Sequence, residues 1–359
     1  MIKSVEHRIL EIPMKKAFRI SLGSTQSYEG FLITVRTDDG LTGYGEAVPT
    51  PFITGETMGS IREALEILRP VLTGLDETRT ELIAEVMEKT ITGSYAAKCG
   101  IDMALWDLMG KRAGLPLSSL LGGYRDSIPT SFTVDIGTTD EVEKYTKEFV
   151  GMGIRTVKVK LGRGLREDYE RVKRARQTAG DNVMIYVDFN QSYSAKKAVE
   201  LSSSIHKFEI EFLEQPTPAG DISGLKFVRE KSGIPVMADE AVHGPEDAMR
   251  IVKAEAADMI NMKLMKAGGI SRGRKIVEIA EAAGMPVMIG CMVETKIAVT
   301  AGTHLALGMK NVKYADLDGY SSLVHDITAG GLVLENGENS VSGKPGLGLS
   351  IAQDVVSHG

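Results

Sequence analysis

The sequence predicts an α/β protein in which a small α+β domain precedes a barrel of parallel strands. Eight short β-rich runs follow one another about every 25 residues from residue 128 onward, and amphipathic helical stretches separate them. Alternating strands and helices are typical of parallel βαβ units. Eight such units can close into a TIM-type barrel. The alternative, an open doubly wound sheet, usually has a glycine-rich phosphate turn after its first strand, and none follows the run "SFTVDI".

Residues 1–125 form the predicted α+β domain. In "FLITVRTDDGLTGYGEA", two extended runs flank Asp39 and Gly40, which are a hairpin signal. Apolar residues at three- and four-residue spacing between about residues 60 and 111 then predict helices. The barrel is predicted for residues 126–324. The Gly- and Asn-rich residues 325–359 are expected to return and pack against the first domain.

Composition narrows the functional class. The 359 residues are 43% hydrophobic and 25% charged, with a net charge of −6 and no basic block, which argues against a nucleic-acid surface. No apolar run approaches the roughly 18 residues of a membrane helix, and the first residues lack the apolar region of a signal peptide. Cys99 and Cys291 fit neither a CxxC nor a zinc pattern. We therefore expect a cytoplasmic, homo-oligomeric enzyme for a small molecule, with no nucleic-acid or membrane partner.

Charged residues end five successive β-rich runs, at intervals of 28, 26, 25 and 24 residues. They are Lys160, Asp188, Glu214, Asp239 and Lys263. Because TIM-type barrels place their chemistry at the carboxyl ends of the strands, we expect these side chains to share one site. Strand alternation supports this, since each charged residue faces away from the aliphatic residues that would pack on helices. A single acid could be a solvated strand end, but three in register favour a site.

The three acids are predicted to bind a metal ion. Three converging carboxylates cannot all stay ionised without a cation. Oxygen ligands alone favour Mg²⁺, with Mn²⁺ as the second candidate. None of the six histidines ends one of these runs, which argues against zinc.

The two strand-end lysines are predicted to transfer protons. Lys160 and Lys263 flank the metal strands, so they would face one carbon from opposite sides. Lys158 lies on the same strand face as Lys160, would lower its pKa by repulsion, and would neutralise a substrate carboxylate. Structural salt bridges to the acids are the alternative reading of these lysines. Lys266 has the wrong strand parity relative to Lys263 and is expected in a loop or at a helix start.

Several short motifs together resemble the muconate-lactonising subgroup of the enolase superfamily. They are "K-x-K" ending at Lys160, "VDFN", "EQP", "ADE", "NMKLMKAGG", "GEAVPT" and the segment Ala104–Leu108. The resemblance covers nearly the whole chain. It implies an α+β capping domain on a (β/α)7β barrel, with Mg²⁺ stabilising the enediolate formed when a proton leaves the carbon beside a carboxylate.

Within this subgroup, Asp316 and Asp318 resemble the mark of the dipeptide epimerases. The resemblance implies that both acids hold the α-ammonium of an L-Xaa-L-Xaa dipeptide, whose C-terminal residue is inverted. Paired carboxylates on one strand face suit a cationic head group, although a solvated pair is the alternative. The resemblance also implies a lining for the substrate site and two groups beside the metal ligands. The lining is Phe18, Ile53, Cys291, Met292 and Glu294, and the groups beside the ligands are Asn190 and Glu240.

The first-domain loop bears on the choice of substrate. Members of the subgroup that act on Ala-Glu carry an Arg shortly after a Phe matching Phe18, and here the loop reads Ile20 to Ser24 with Arg19 out of register. We therefore expect a neutral or hydrophobic second residue, and we expect Glu56 in the next loop to be solvated. Alternatives within the subgroup are an o-succinylbenzoate synthase, an N-acylamino-acid racemase or a muconate cycloisomerase-type lyase. From other classes, a metal-binding scaffold would not need both lysines, and a Schiff-base aldolase would not need the acid triad.

Overall fold

An antiparallel sheet with helices packed on one side forms the first part of the chain. The structure, a computed structural model, describes residues 1–352. The strands, in the order β1-β2-β3, are β1 (Ile2–Ile20), β2 (Gly23–Thr37) and β3 (Thr42–Ala47). The helices are α1 (Met58–Leu72), α2 (Thr80–Thr90), α3 (Tyr95–Ala113) and the short α4 (Leu117–Leu120).

The helix α3 lies close against β3 because glycines remove side chains from the contact. A Cβ atom at Gly45 would collide with the carbonyl oxygen of Gly100. Most residues of α3 are buried, including its polar Lys98, Asp102 and Asp107. The helix therefore forms the centre of the first domain and contacts the rest of the chain on its other sides.

Eight parallel strands form the barrel, and the (β/α)7β-type fold class predicted from the sequence is confirmed. A short strand, β4 (Ser127–Pro129), directly precedes the barrel strands in the chain. The barrel strands follow as β5 (Ser131–Val134), β6 (Thr156–Lys160), β7 (Met184–Asp188), β8 (Ile210–Glu214), β9 (Val236–Ala238), β10 (Met259–Lys263), β11 (Val287–Gly290) and β12 (Val312–Asp316). They are hydrogen-bonded in sequence order, and a bridge between Thr130 and Ala315 joins the first strand to the last.

Helices connect the strands and cover the barrel. They are α5 (Thr139–Gly151), α6 (Leu165–Ala179), α7 (Ala195–Ile205), α8 (Ile222–Lys231), α9 (Pro245–Ala254), α10 (Leu264–Ala267), α11 (Ile270–Ala282) and α12 (Lys296–Gly308). Two 3₁₀ turns, His206–Phe208 and Gly319–Ser322, complete the connections. Among residues 1–352, no helix is both long and apolar enough to cross a membrane.

The strand register places the charged strand ends in one layer. Lys160 pairs with Asp188, and Asp188 pairs with Glu214. Beneath that layer, Tyr186, Phe212 and three methionines pack together and fill the barrel interior. Val157 and Val159 belong to the separate core that lies between strands and helices. As predicted from the sequence, the valines of β6 therefore face the helices and its lysines face the barrel interior.

The last described segment contains β13 (Thr328–Gly330), β14 (Leu332–Glu335), β15 (Glu338–Val341) and β16 (Leu349–Ile351). β15 pairs with both β14 and β4. The Leu347 N–H donates to Asp107 Oδ1 on α3 at 2.8 Å, so this segment contacts the first domain. Residues 353–359 of the predicted C-terminal segment lie outside the described residues.

Candidate active site

Three buried carboxylates meet at the carboxyl ends of neighbouring strands. Asp188 and Glu214 end β7 and β8, and Asp239 directly follows β9. One oxygen of each lies within 4.8 Å of the others, and none of the three side chains is exposed. Burial and then the neighbouring Asp188 raise the pKa of Glu214 to about 8. The cluster therefore needs positive charge to ionise fully, and its oxygen donors fit a hard divalent cation.

Lys158 supplies one positive charge from within the barrel. Its Nζ lies 3.0 Å from Asp188 Oδ2, 2.9 Å from Glu214 Oε2 and 2.7 Å from Asp316 Oδ2. Burial favours the neutral amine, but these three carboxylates outweigh it and hold the pKa of Lys158 well above its usual value. Lys158 therefore links the acid cluster to the end of β12, and these carboxylates favour its ammonium form.

Lys160 lies on the same strand, one step nearer the mouth of the barrel. Its Nζ donates to Asp188 Oδ2 at 2.6 Å and to Asn190 Oδ1 at 2.9 Å. Asn190 in turn donates from Nδ2 to Glu240 Oε1 at 3.0 Å. The amide thus has its oxygen fixed towards the lysine, and the two groups predicted beside the metal ligands form one chain leading to Lys160.

Lys263 approaches the acids from the other side of the barrel. Its Nζ donates to Asp239 Oδ2 at 2.8 Å. Burial would lower the pKa of Lys263, but Asp239 outweighs this and raises it. Because β6 and β10 are four strands apart in an eight-stranded barrel, Lys160 and Lys263 face each other across the carboxylate cluster.

Lys266 belongs to the site, although its strand parity argued against it. Its buried Nζ contacts Asp239 Oδ1 at 2.5 Å and also the Asp239 carbonyl oxygen. The expected position at a helix start is confirmed, because the strand ends at Lys263 and the helix α10 begins at Leu264. On that helical turn Lys266 reaches back to Asp239, so each oxygen of this carboxylate binds a different lysine.

Asp316 and Asp318 lie where the first and last barrel strands meet. Asp316 Oδ1 accepts a hydrogen bond from Ser131 Oγ at 2.8 Å, and Asp318 Oδ2 accepts one from Thr133 N–H at 2.7 Å. Burial and then Asp316 raise the pKa of Asp318 to about 7. A cationic group placed beside the pair would lower that pKa and favour both ionised carboxylates.

A cavity of about 830 Å³ opens above these groups. It is lined by Lys158, Lys160, Asn190, Lys263, Asp316 and Asp318 from the barrel, together with the predicted lining residues Phe18, Ile53, Cys291 and Met292. Glu294 and Glu240 are buried behind this surface rather than in it. Glu294 accepts a hydrogen bond from Met292 N–H at 3.0 Å, so it holds the shape of the loop after β11.

Two carboxylates of the first domain cap helices. The expectation that Glu56 is solvated is wrong, because its buried carboxylate accepts the Ala96 N–H at the start of α3. Glu46, which the sequence did not single out, accepts from Thr295 N–H at 2.8 Å and from Ala298 N–H at 3.0 Å. These groups are at the start of α12, so a carboxylate of the first domain caps a helix of the barrel.

Comparison with known proteins agrees with this geometry. Residues 4–122 match the mandelate racemase / muconate lactonizing enzyme N-terminal domain, and residues 141–355 match the enolase C-terminal domain-like family. The hydrophobic dipeptide epimerase of Enterococcus faecalis is 40% identical over 335 residues, 93% of this chain and 95% of the relative. The L-Ala-D/L-Glu epimerase of Bacillus subtilis is 37% identical over 352 residues, 96% and 95% of the two chains.

A solved structure also agrees along its whole length. The dipeptide epimerase from Enterococcus faecalis V583, complexed with Mg and the dipeptide L-Leu-L-Tyr, has a TM-score of 0.95 to this chain at 40% identity. The match covers 97% of this chain and 99% of that one. The resemblance predicted from the motifs is confirmed, and the chain belongs to the mandelate racemase / muconate lactonizing enzyme family of the enolase superfamily.

Proposed function

We propose that the protein is an isomerase that inverts the α-carbon of the C-terminal residue of an L-Xaa-L-Xaa dipeptide. The observation that carries the proposal is the placement of two buried lysines on opposite sides of a carboxylate cluster, with a pair of acids in the same cavity. Lys160 and Lys263 serve the proton transfer, and Asp316 and Asp318 serve the binding of an ammonium group. The two relatives from Enterococcus faecalis and Bacillus subtilis described above are dipeptide epimerases, which supports the assignment.

Asp188, Glu214 and Asp239 would hold the metal ion. Their oxygen-only donor set suits Mg²⁺, with Mn²⁺ as the second candidate, and the relative crystallised with a dipeptide contains Mg. When bound, such an ion stabilises the negative charge that develops on the substrate carboxylate. The charge of the ion would also offset the attraction of Asp239 for the Lys263 ammonium, which is the main cause that raises the pKa of Lys263, and would thereby favour the neutral amine.

The chain itself provides the remaining chemistry. One of Lys160 and Lys263, as a neutral amine, removes the α-proton from one face, and the other, as an ammonium, returns a proton to the opposite face. Lys158 remains charged beside the cluster and stabilises the enediolate between these two steps. Asn190 fixes Lys160 through the hydrogen bond at 2.9 Å, which limits the directions in which the amine can point.

Isotope exchange tests the proposal. The protein is incubated with Mg²⁺ and L-Ala-L-Xaa dipeptides in D₂O, and mass spectrometry follows deuterium at the C-terminal α-carbon. We expect exchange with epimerisation in the wild type. Lys160→Ala and Lys263→Ala should each abolish epimerisation and retain exchange on one face only, whereas Lys231→Ala, at an exposed lysine of α8, should match the wild type. Absence of exchange in every dipeptide with metal bound, or an active Lys160→Ala/Lys263→Ala double variant, would refute the proposal.

The same assay separates the alternatives. An N-acylamino-acid racemase would exchange N-succinyl amino acids, but such substrates lack the free ammonium that Asp316 and Asp318 suit, and their succinyl carboxylate would be repelled. We expect no exchange with them. The homo-oligomeric state, the cytoplasmic location and the absence of nucleic-acid partners stay predictions, and light scattering would measure the oligomeric state.

A further inference from the structure

The cavity continues past the ammonium-binding pair into an aromatic annex, which we define as Phe132, Tyr145, Phe149 and Met152. All four residues line the same cavity as the catalytic lysines. The rings of Phe132 and Phe149 meet edge to face at 5.3 Å between centroids, and those of Tyr145 and Phe149 stack at 6.3 Å. The annex is thus a packed apolar wall within the substrate cavity.

The annex adjoins the end of the cavity where the dipeptide begins. Thr133, whose N–H holds Asp318 at 2.7 Å, is the residue directly after Phe132 on β5. A dipeptide whose ammonium lies at Asp316 and Asp318 therefore has its N-terminal residue beside this strand. The α-carbon of its C-terminal residue would lie between the two lysines.

Two of the charges around the annex are paired with each other. Asp135 forms an ion pair with Lys16 at 3.1 Å, and Lys16 Nζ lies 3.5 Å from the centre of the Tyr145 ring. Glu148 is exposed to solvent. Among the described residues that line the cavity there is no arginine. An anionic side chain entering the annex would therefore lose hydration without gaining a free cation, and a cationic one would find only Glu148, whose exposed carboxylate is hydrated and attracts weakly.

We infer that the annex binds the side chain of the N-terminal residue, and that this residue is hydrophobic or aromatic in the preferred substrates. The inference rests on the proposed function and adds to it the chemical class of the first residue. Apolar area buried against the annex favours Leu or Phe at this position over Ala, and the edges of the rings suit a further aromatic side chain.

Turnover of an L-Xaa-L-Ala series tests this inference, because the residue that is inverted stays constant. We measure kcat/KM for L-Ala-L-Ala, L-Leu-L-Ala, L-Phe-L-Ala, L-Lys-L-Ala and L-Asp-L-Ala. Burial of one large apolar side chain predicts about a 10- to 100-fold preference for Leu or Phe over Ala. Phe149→Ala should reduce this preference at least about fivefold, and Phe227→Ala, which removes a half-exposed ring of α8 outside the cavity, should leave it unchanged.

A second variant guards against misfolding. Met152 is 50% exposed, so Met152→Asp should fold while placing a carboxylate at the rim of the annex. We expect it to lower the preference for Leu and Phe and to raise turnover of L-Lys-L-Ala. Equal kcat/KM for Ala, Leu and Phe, or a wild-type preference for Lys or Asp, would overturn the annex assignment while the epimerase proposal stands. Absence of exchange in every dipeptide would overturn both.

Discussion

Replacing Glu46 by Gln should loosen the junction between the two domains and weaken substrate binding. Glu46 Oε1 accepts from Tyr28 OH and from Thr295 N–H, and Oε2 accepts from Thr295 Oγ1 and Ala298 N–H. The carboxylate is fully buried, so its four donors have no water as a substitute. An amide can accept at only one of the two positions, because its NH₂ group is itself a donor.

The geometry sets the size of the effect. Whichever oxygen becomes NH₂, a hydroxyl can turn to accept from it, but one backbone N–H at the start of α12 loses its acceptor. Such a buried unpaired donor costs about 1–3 kcal/mol, and loss of the charge on the other bonds adds about 1 kcal/mol. Removing the charge offsets part of this loss of stability, because burial opposes the ionised carboxylate and raises the pKa of Glu46. We expect the free energy of unfolding to fall by about 2 kcal/mol.

Urea unfolding and steady-state kinetics measure the two consequences. Thr295 follows the loop containing Cys291 and Met292, which line the cavity, so we expect KM to rise more than kcat falls. The matched control is Glu11→Gln, at an exposed glutamate of β1. A Glu46→Gln protein with the same unfolding midpoint and the same KM as that control would refute the view that this carboxylate holds the barrel loop in place.

Three further perturbations address pH, metal and substrate. Burial lowers the pKa of His304 to about 4, so below about pH 6.5 this histidine takes up a proton in the unfolded chain before it does so in the folded protein. The free energy of unfolding should therefore fall by about 3 kcal/mol between pH 6.5 and pH 4. In urea unfolding, His304→Asn should lack this pH dependence, and the exposed His325→Asn should keep it. Mg²⁺ at about 100 times its Kd should stabilise the protein against thermal unfolding by about 2.7 kcal/mol. EDTA and the Asp239→Asn substitution should each remove this stabilisation, whereas Asp181→Asn, at an exposed residue, should keep it. Asp318→Asn should raise KM for free dipeptides about 10- to 100-fold and leave KM for their N-acetyl forms unchanged, and equal effects on both would argue against ammonium binding.

The regular spacing of the charged strand-end residues allowed the barrel part of the site to be predicted from the sequence. Each βα unit has a similar length, so one charged residue per unit marks the same end of consecutive strands, as Lys160, Asp188 and Glu214 do. The strand parity that separates Lys158 from Val159 follows from backbone geometry alone. Those positions depend on local structure, and the register of the barrel then brings them together.

Lys266 and Glu56 show where this reasoning fails. Strand parity placed Lys266 in a loop or at a helix start, and it does lie in α10, but parity could not show that this helical turn brings its Nζ to Asp239. Glu56 was expected in solvent because charged loop residues are mostly exposed, yet it caps a helix by binding the N–H of Ala96, 40 positions later in the chain. Neither outcome is encoded in local periodicity, since both depend on which segment packs beside the residue.

The same division applies to chemistry and specificity. The groups that transfer protons and bind cations are fixed by barrel strands, and their order along the chain is enough to propose a reaction. The walls that contact substrate side chains come from elsewhere: Phe18 from the end of β1, Ile53 from the loop after β3, and Phe149 and Met152 from the C-terminal end of α5. These segments meet only in the folded protein and bear no fixed spacing to the strands. The reaction class is therefore accessible from the sequence, whereas the preference for the first residue of the dipeptide requires the assembled cavity.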